Sequence, residues 1–167
     1  MKLFLVGMPG SGKTSVAKKI SLKKKLYFFD TDKVIEEKYN KSISEIFGTE
    51  GEHIFRKYEN ELINSLQSKD KIVVATGGGL PCFFNNIQIM NNIGQTVYLK
   101  ASPDVLLKRI LRSADMRPLL EGKNEAELSE YIKETLIYRE KFYGEANYTV
   151  DADKDISDII KSEPFNF

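Results

Sequence analysis

Five short apolar runs punctuate the chain: Leu3-Phe4-Leu5-Val6, Leu26-Tyr27-Phe28-Phe29, Ile72-Val73-Val74-Ala75, Thr96-Val97-Tyr98-Leu99 and Tyr148-Thr149-Val150. They are rich in β-branched and aromatic residues and apolar throughout rather than alternating, which suits parallel strands covered on both faces. Helical patterns separate them, over residues 13–21, 33–39, 51–67, 82–92, 103–113, 125–142 and 154–161. In the third of these, Ile54, Phe55, Tyr58, Leu62 and Leu66 repeat at helical spacing. Strand–helix alternation of this kind predicts an α/β fold: a five-stranded, doubly wound parallel sheet flanked by helices, with its ligand site at the carboxyl ends of the strands. No internal repeat, low-complexity tract or linker divides the 167 residues, so one domain spanning 1–167 is expected.

The connection after the first strand changes the picture most. Gly7-Met8-Pro9-Gly10-Ser11-Gly12-Lys13-Thr14 fits G-x-x-x-x-G-K-[ST] between a strand and a helix, the setting in which that pattern cradles phosphate. Its glycines let backbone N–H groups turn inward on an oxyanion. Lys13 reaches the β- and γ-phosphates, Thr14 offers its hydroxyl to Mg²⁺, and the following helix adds the positive end of its dipole. The competing reading is a glycine-rich turn that merely opens a helix.

The second strand delivers Asp30-Thr31-Asp32 to the same edge. One acidic residue there can hold Mg²⁺ directly or through water, and the other can accept a proton from an attacking hydroxyl. Alternatively, Asp32 simply caps a helix beginning at Lys33. Thr49 and Glu52 have the spacing of a capping box for the next helix. On that helix Arg56 falls away from most of the apolar stripe. The simpler account is a surface ion pair with Glu52 or Glu59, worth ~0.3–0.5 kcal/mol; the sharper one is a guanidinium fork aimed at a substrate carboxylate. His53, the only histidine, has no second His or Cys near it to complete a metal site and reads as a solvated helix residue.

Thr76-Gly77-Gly78-Gly79 follows the third strand, with Pro81 placed to start a helix. Three successive glycines cost ~0.5–1 kcal/mol each in chain entropy relative to alanine, so something is expected to approach that backbone closely, and a second substrate fits. Farther on, residues 108–123 carry Arg109, Arg112, Arg117 and Lys123 with little sustained apolar pattern. That composition suits a basic cover that closes over phosphates and expels water, or else a plain charged loop. Arg139 lies near the end of the long sixth helix, where an ordinary ion pair would also explain it.

Overall charge adds little: 25 Lys and Arg against 24 Asp and Glu leave +1, which provides no global field to recruit nucleic acid or an anionic membrane. Cys82 is the single cysteine and forms no intrachain disulfide, consistent with a reducing compartment and with packing as a small hydrophobe. No apolar run approaches ~18 residues, and the chain enters its first strand without a signal-type segment, so a cytoplasmic protein is expected.

Taken together, the phosphate loop, Asp30-Thr31-Asp32, Gly51-Glu52-His53-Ile54-Phe55-Arg56 with Glu59, Thr76-Gly77-Gly78-Gly79 and Arg117-Pro118-Leu119-Leu120 resemble shikimate kinases, small members of the nucleoside-monophosphate-kinase-like P-loop group. The resemblance spans nearly the whole chain, and the joint order and spacing are more specific than the phosphate loop alone. It implies transfer of phosphate from ATP to the 3-hydroxyl of shikimate, by a monomer with no nucleic-acid or membrane partner. By the same resemblance Lys13, Asp32 and Arg117 are catalytic. Gly10, Ser11, Gly12, Lys13, Thr14, Ser15 and Arg117 hold ATP. Asp32, Arg56, Gly77, Gly78, Gly79 and Arg139 hold shikimate, and Thr14 binds Mg²⁺ with Asp30 assisting through water. A mobile lid is implied over about 112–124 and an acceptor-binding segment over about 32–61. Either Arg109 or Arg112 would stack near adenine, whose loop lies near Val150-Asp151-Ala152. The family's frequent Arg-x-Pro-x-Tyr stands here as Arg139-Glu140-Lys141-Phe142-Tyr143. The rival readings are a P-loop kinase for gluconate or a nucleoside monophosphate, and a nucleotide-dependent module without turnover.

Overall fold

In the computed structural model, which describes residues 1–113 and 122–165, the five apolar runs are the five strands: β1 (Lys2–Val6), β2 (Tyr27–Asp30), β3 (Ile72–Ala75), β4 (Gln95–Lys100) and β5 (Tyr148–Asp151). All pair in parallel, in the order β2-β3-β1-β4-β5, with Leu3 opposite Val73 on one side and opposite Gln95 on the other. Leu3, Phe4, Leu5 and Val6 are all fully buried, which is why the central strand tolerates no polar alternation. The sheet is wrapped by α1 (Lys13–Lys24), α5 (Asn86–Ile93), α6 (Pro103–Arg112), α7 (Glu125–Tyr143) and α8 (Ile156–Ile159). Among the described residues no helix is long and apolar enough to cross a membrane.

A smaller apolar cluster lies beside this core. α2 (Thr31–Tyr39), α3 (Ile43–Thr49) and α4 (Glu52–Ser65) close around buried Ile35, Ile46 and Phe55. Tyr39 stacks on Tyr58 with ring centroids 3.7 Å apart, and the Tyr58 hydroxyl donates to Glu50 at 2.6 Å.

The helix boundaries depart from the sequence expectations in several places, each for a local reason. The capping box falls not at Thr49 and Glu52 but at Ser42 and Glu45, where both reciprocal bonds form and start α3, a helix the apolar spacing did not announce. Thr49 ends that helix, its hydroxyl donating to Glu45 O at 2.7 Å, and Gly51 takes the N-cap of α4 without a side-chain bond. The residue that caps α2 is Asp30, accepting from Lys33 N–H at 3.4 Å, so Asp32 sits inside the first turn and is free of the capping role. Pro81 belongs to a separate 3₁₀ turn, Leu80–Cys82, and α5 begins only at Asn86 because Phe84 and Asn85 adopt left-handed backbone that interrupts a helix. The region 154–161 contracts to the single turn of α8.

This topology fixes where ligands can go. The chain leaves β1 toward β2 on one side and later crosses from β3 to β4 on the other, so β1 and β3 flank the switch point and their carboxyl ends open a crevice. The loop after β1 and the glycine turn after β3 face each other across it.

Candidate active site

On one side of the crevice stands the phosphate loop. Gly10 and Gly12 adopt φ of 83° and 95°, the left-handed region that a side chain makes costly, and this bends the loop back into α1. A Cβ on Gly10 would also stand 3.1 Å from Ile110 of α6. The Lys13 ammonium is buried under the loop and donates to the carbonyls of Gly7 and Met8, each at 2.8 Å. Ser11 is buried as well, and its hydroxyl has no hydrogen-bond partner among the described residues. Ser15 is exposed on the first turn of α1. The Thr14 hydroxyl donates to Asp30 Oδ2 at 3.0 Å, joining the start of α1 to the end of β2.

Across the crevice, four chain segments converge on the glycine turn. A Cβ on Gly77 would lie 2.6 Å from Asp32 Oδ1 and 2.9 Å from Glu59 Oε1; on Gly79, 2.6 and 2.7 Å from the two terminal nitrogens of Arg56. On Gly78 it would stand 2.9 Å from Pro9 Cδ and 3.0 Å from Arg139 Nη1. Side chains at these positions would occupy the space that the charged groups fill, so here the glycines serve close approach. The turn is pinned on several sides. Gly77 N–H donates to Thr31 Oγ1 at 2.8 Å, the Tyr143 hydroxyl donates to Gly78 O at 2.6 Å, and the Thr76 hydroxyl donates to Leu5 O at 2.9 Å. Behind it, Asn86 donates to Leu80 O at 2.9 Å and accepts from Asn60 at 2.8 Å.

Arg56 is not the surface residue that its simpler sequence reading made it. It does form the expected ion pairs, with both Glu52 at 2.9 Å and Glu59 at 2.7 Å, but its side chain is 5% exposed and its guanidinium lies over the Phe83 ring, 4.5 Å from the centroid. Glu59 is 1% exposed, and its Oε1 has no hydrogen-bond partner among the described residues. Burial pushes the Glu59 carboxyl up to about 7, against the pull of Arg56 and with the help of the Asp32 charge. A hollow of about 350 Å³ opens beside this cluster, lined by Glu52, His53, Arg56, Phe83 and Phe84. A larger one of about 750 Å³ lies at the amino-terminal ends of the strands, next to Met1, Lys2 and Gln95, away from every charged group described above.

The crevice thus pairs a phosphate loop with a guanidinium-lined glycine turn, and comparison with known proteins places the chain in a family. The family model for shikimate kinase matches residues 9–163. A shikimate kinase of Parabacteroides distasonis is 41% identical over 163 residues, covering 95% of this chain and 94% of that one. The chain belongs to the shikimate kinase family. The crystal structure of shikimate kinase from Bacteroides thetaiotaomicron superposes with a TM-score of 0.92 at 37% identity, covering 96% and 94% of the two chains. Shikimate kinase from Acinetobacter baumannii, solved in complex with shikimate, gives 0.85 at 32% identity over 93% and 86%.

As a shikimate kinase family member, the protein is an ATP-using phosphotransferase, and the remaining motif residues can be located on it. Arg109 reaches from α6 to Gly10 O at 3.5 Å and Lys154 O at 3.4 Å, so of the two lid-side candidates it is the one that bridges the phosphate loop and the segment after β5; Arg112 is exposed at the helix end. Arg117, with most of the lid over 112–124, lies outside the described residues. α7 continues unbroken through Lys141 to Tyr143, because Lys141 supplies the backbone N–H that a proline would remove. Sequence reasoning did not anticipate the burial of Glu59, the anchoring of the turn by Thr31, Asn86 and Tyr143, or the aromatic surface of Phe83 under Arg56. The one available signal was spacing: Glu59 is three residues after Arg56, and Tyr143 four after Arg139, so each pair shares a helix face. His53 is exposed and Cys82 buried, and burial holds the Cys82 thiol up at about 11, in its neutral form.

Proposed function

We propose that the protein transfers the γ-phosphoryl group of ATP to the 3-hydroxyl of shikimate. The observation that supports this reading most is the approach of Asp32, Arg56 and Arg139 to one glycine turn directly opposite the phosphate loop. Shikimate carries one carboxylate and three hydroxyls. Two guanidinium groups suit the carboxylate, and the Asp32 carboxylate beside the glycine turn suits a hydroxyl.

In this reading Asp32 accepts the proton of the 3-hydroxyl as its oxygen bonds to the γ-phosphorus, and the bond from that phosphorus to the β,γ-bridging oxygen breaks to release ADP. The amides of Gly10 to Ser15 and the Lys13 ammonium hold the phosphates in line, so most of the rate gain comes from positioning and charge. Arg117, from the lid, is assigned to the transferring phosphoryl, and Arg109 to the nucleotide side. Thr14 is assigned to Mg²⁺, with Asp30 assisting through water. Their oxygens stand 3.0 Å apart, and a hydroxyl with a carboxylate is the sparse oxygen set that Mg²⁺ accepts alongside phosphates and water. When bound, the ion would offset charge on the β- and γ-phosphates.

The reading extends to a monomer. Steady ADP release from purified protein with ATP, Mg²⁺ and shikimate, absent without the acceptor, supports the proposed transfer. ADP release with gluconate or a nucleoside monophosphate and none with shikimate would overturn it.

A further inference from the structure

Tyr143 ends α7 four residues after Arg139, so the two side chains leave the same face one turn apart. It is fully buried, and its hydroxyl meets groups on opposite sides of the crevice: Gly78 O, to which it donates at 2.6 Å, and the Met8 sulfur of the phosphate loop at 3.7 Å, with the Arg139 side chain as a further hydrogen-bond partner. Gly78 itself is wedged between Pro9 of the phosphate loop and the Arg139 guanidinium. One phenol therefore touches both loops while standing on the helix that carries one of the two arginines. Burial raises its pKa well above the ordinary tyrosine value, which keeps the O–H a donor at working pH.

We infer that Tyr143 is a positioning residue for the transfer: its bond to the Gly78 carbonyl sets the glycine turn and Arg139 in register with the phosphate loop, and so governs acceptor binding without touching the acceptor. The inference rests on the reading of the turn as the acceptor site. Its chemistry differs from that of a packing tyrosine. The Gly78 carbonyl is held by a side chain rather than by a sheet or helix partner, and without the O–H the turn keeps its glycines but loses the bond that fixes their orientation.

A matched control lies next to it. Tyr98 packs against Tyr143 with ring centroids 5.1 Å apart, is equally buried, and has a hydroxyl without a hydrogen-bond partner among the described residues. Tyr143→Phe and Tyr98→Phe thus remove the same atom from one aromatic pair, and only the first removes a bond to the site. The test measures shikimate and Mg-ATP binding to wild type and both variants by titration calorimetry. For Tyr143→Phe the shikimate Kd should rise about tenfold, through loss of the buried bond to Gly78 O, while the Mg-ATP Kd stays within about twofold. Tyr98→Phe should leave both unchanged. Equal losses for both ligands in Tyr143→Phe, equal effects of the two variants, or an unchanged shikimate Kd would each overturn the inference. Wild-type protein that binds Mg-ATP but not shikimate would instead remove the reading of the acceptor site itself.

Discussion

The two sides of the crevice are built by opposite means. The phosphate loop is eight consecutive residues that present backbone N–H groups and one lysine, and its cost is the left-handed backbone at Gly10 and Gly12. The side proposed to hold the acceptor draws Asp32, Arg56 with Glu59, Gly77 to Gly79, and Arg139 with Tyr143 from four separate segments, and its cost is the desolvation of charge. A site made of backbone is carried by its own short sequence. A site made of buried side-chain charge exists only once the whole fold has brought its partners into contact. The first therefore withstands damage elsewhere in the molecule, and the second does not.

Removing Arg56 should expose that asymmetry most strongly. Arg56→Ala takes away the guanidinium fork and strands Glu59 in a buried site. Shikimate affinity should fall roughly 30- to 4000-fold, the range for truncating one member of a desolvated charge pair. Stability should fall by about 3 kcal/mol or more, since a buried carboxylate loses its cation. Mg-ATP affinity should hold within about twofold by calorimetry; a comparable loss on both ligands would mean that Arg56 supports the fold alone.

Glycine replacements sharpen the contrast at a smaller scale. A Cβ on Gly79 would lie 2.6 Å from a guanidinium that two carboxylates hold in place, so Gly79→Ala should cost about 1–3 kcal/mol, read as about a 5- to 150-fold weaker shikimate Kd with ATP binding preserved. Gly12→Ala meets nothing within 4 Å but forces a side chain into left-handed backbone, at a cost of about 1–2 kcal/mol. Its penalty should appear on ATP instead. If both substitutions weakened the same ligand, the division of the crevice would be wrong.

Glu59 adds a pH signature that the phosphate loop lacks. Its folded pKa of about 7 lies above the ordinary 4.5, so between those values the folded state holds a proton that the unfolded state has released. The stability this group contributes is fully present below about pH 4.5 and is lost as pH rises to about 7, by at most about 3 kcal/mol. Urea unfolding at pH 5 and pH 7.5 should show that decline in wild type and a flatter response in Glu59→Gln; parallel declines would place the titration elsewhere. The smallest effect belongs to Ser42→Ala, which breaks the capping box of α3. It should cost about 1 kcal/mol, or roughly 2–4 °C in Tm, with ATP binding unchanged.

The same contrast explains what could be read from the chain. The inner strands were legible because Leu3-Phe4-Leu5-Val6, Ile72-Val73-Val74-Ala75 and Thr96-Val97-Tyr98-Leu99 are buried and need no alternation, whereas the edge strands β2 and β5 are only partly covered; the phosphate loop was legible because its geometry is local. α3 was not, since its start rests on a polar box at Ser42 and Glu45 rather than on an apolar stripe. Arg56 was ambiguous because spacing reveals an ion pair but not its burial, which comes from Phe83 and Gly79, residues more than twenty positions away. Glu59 and Tyr143 lay hidden for the same reason: each acts through the glycine turn, and only the fold delivers that turn to them.

The most direct test is a panel of acceptors offered with Mg-ATP to the wild-type enzyme, with ADP release measured for shikimate, gluconate and a nucleoside monophosphate. The account requires turnover with shikimate far above the other two. Equal or greater turnover with gluconate or the nucleoside monophosphate would contradict it, because a glycine turn lined by Arg56 and Arg139 would then have no carboxylate-bearing ring to recognise.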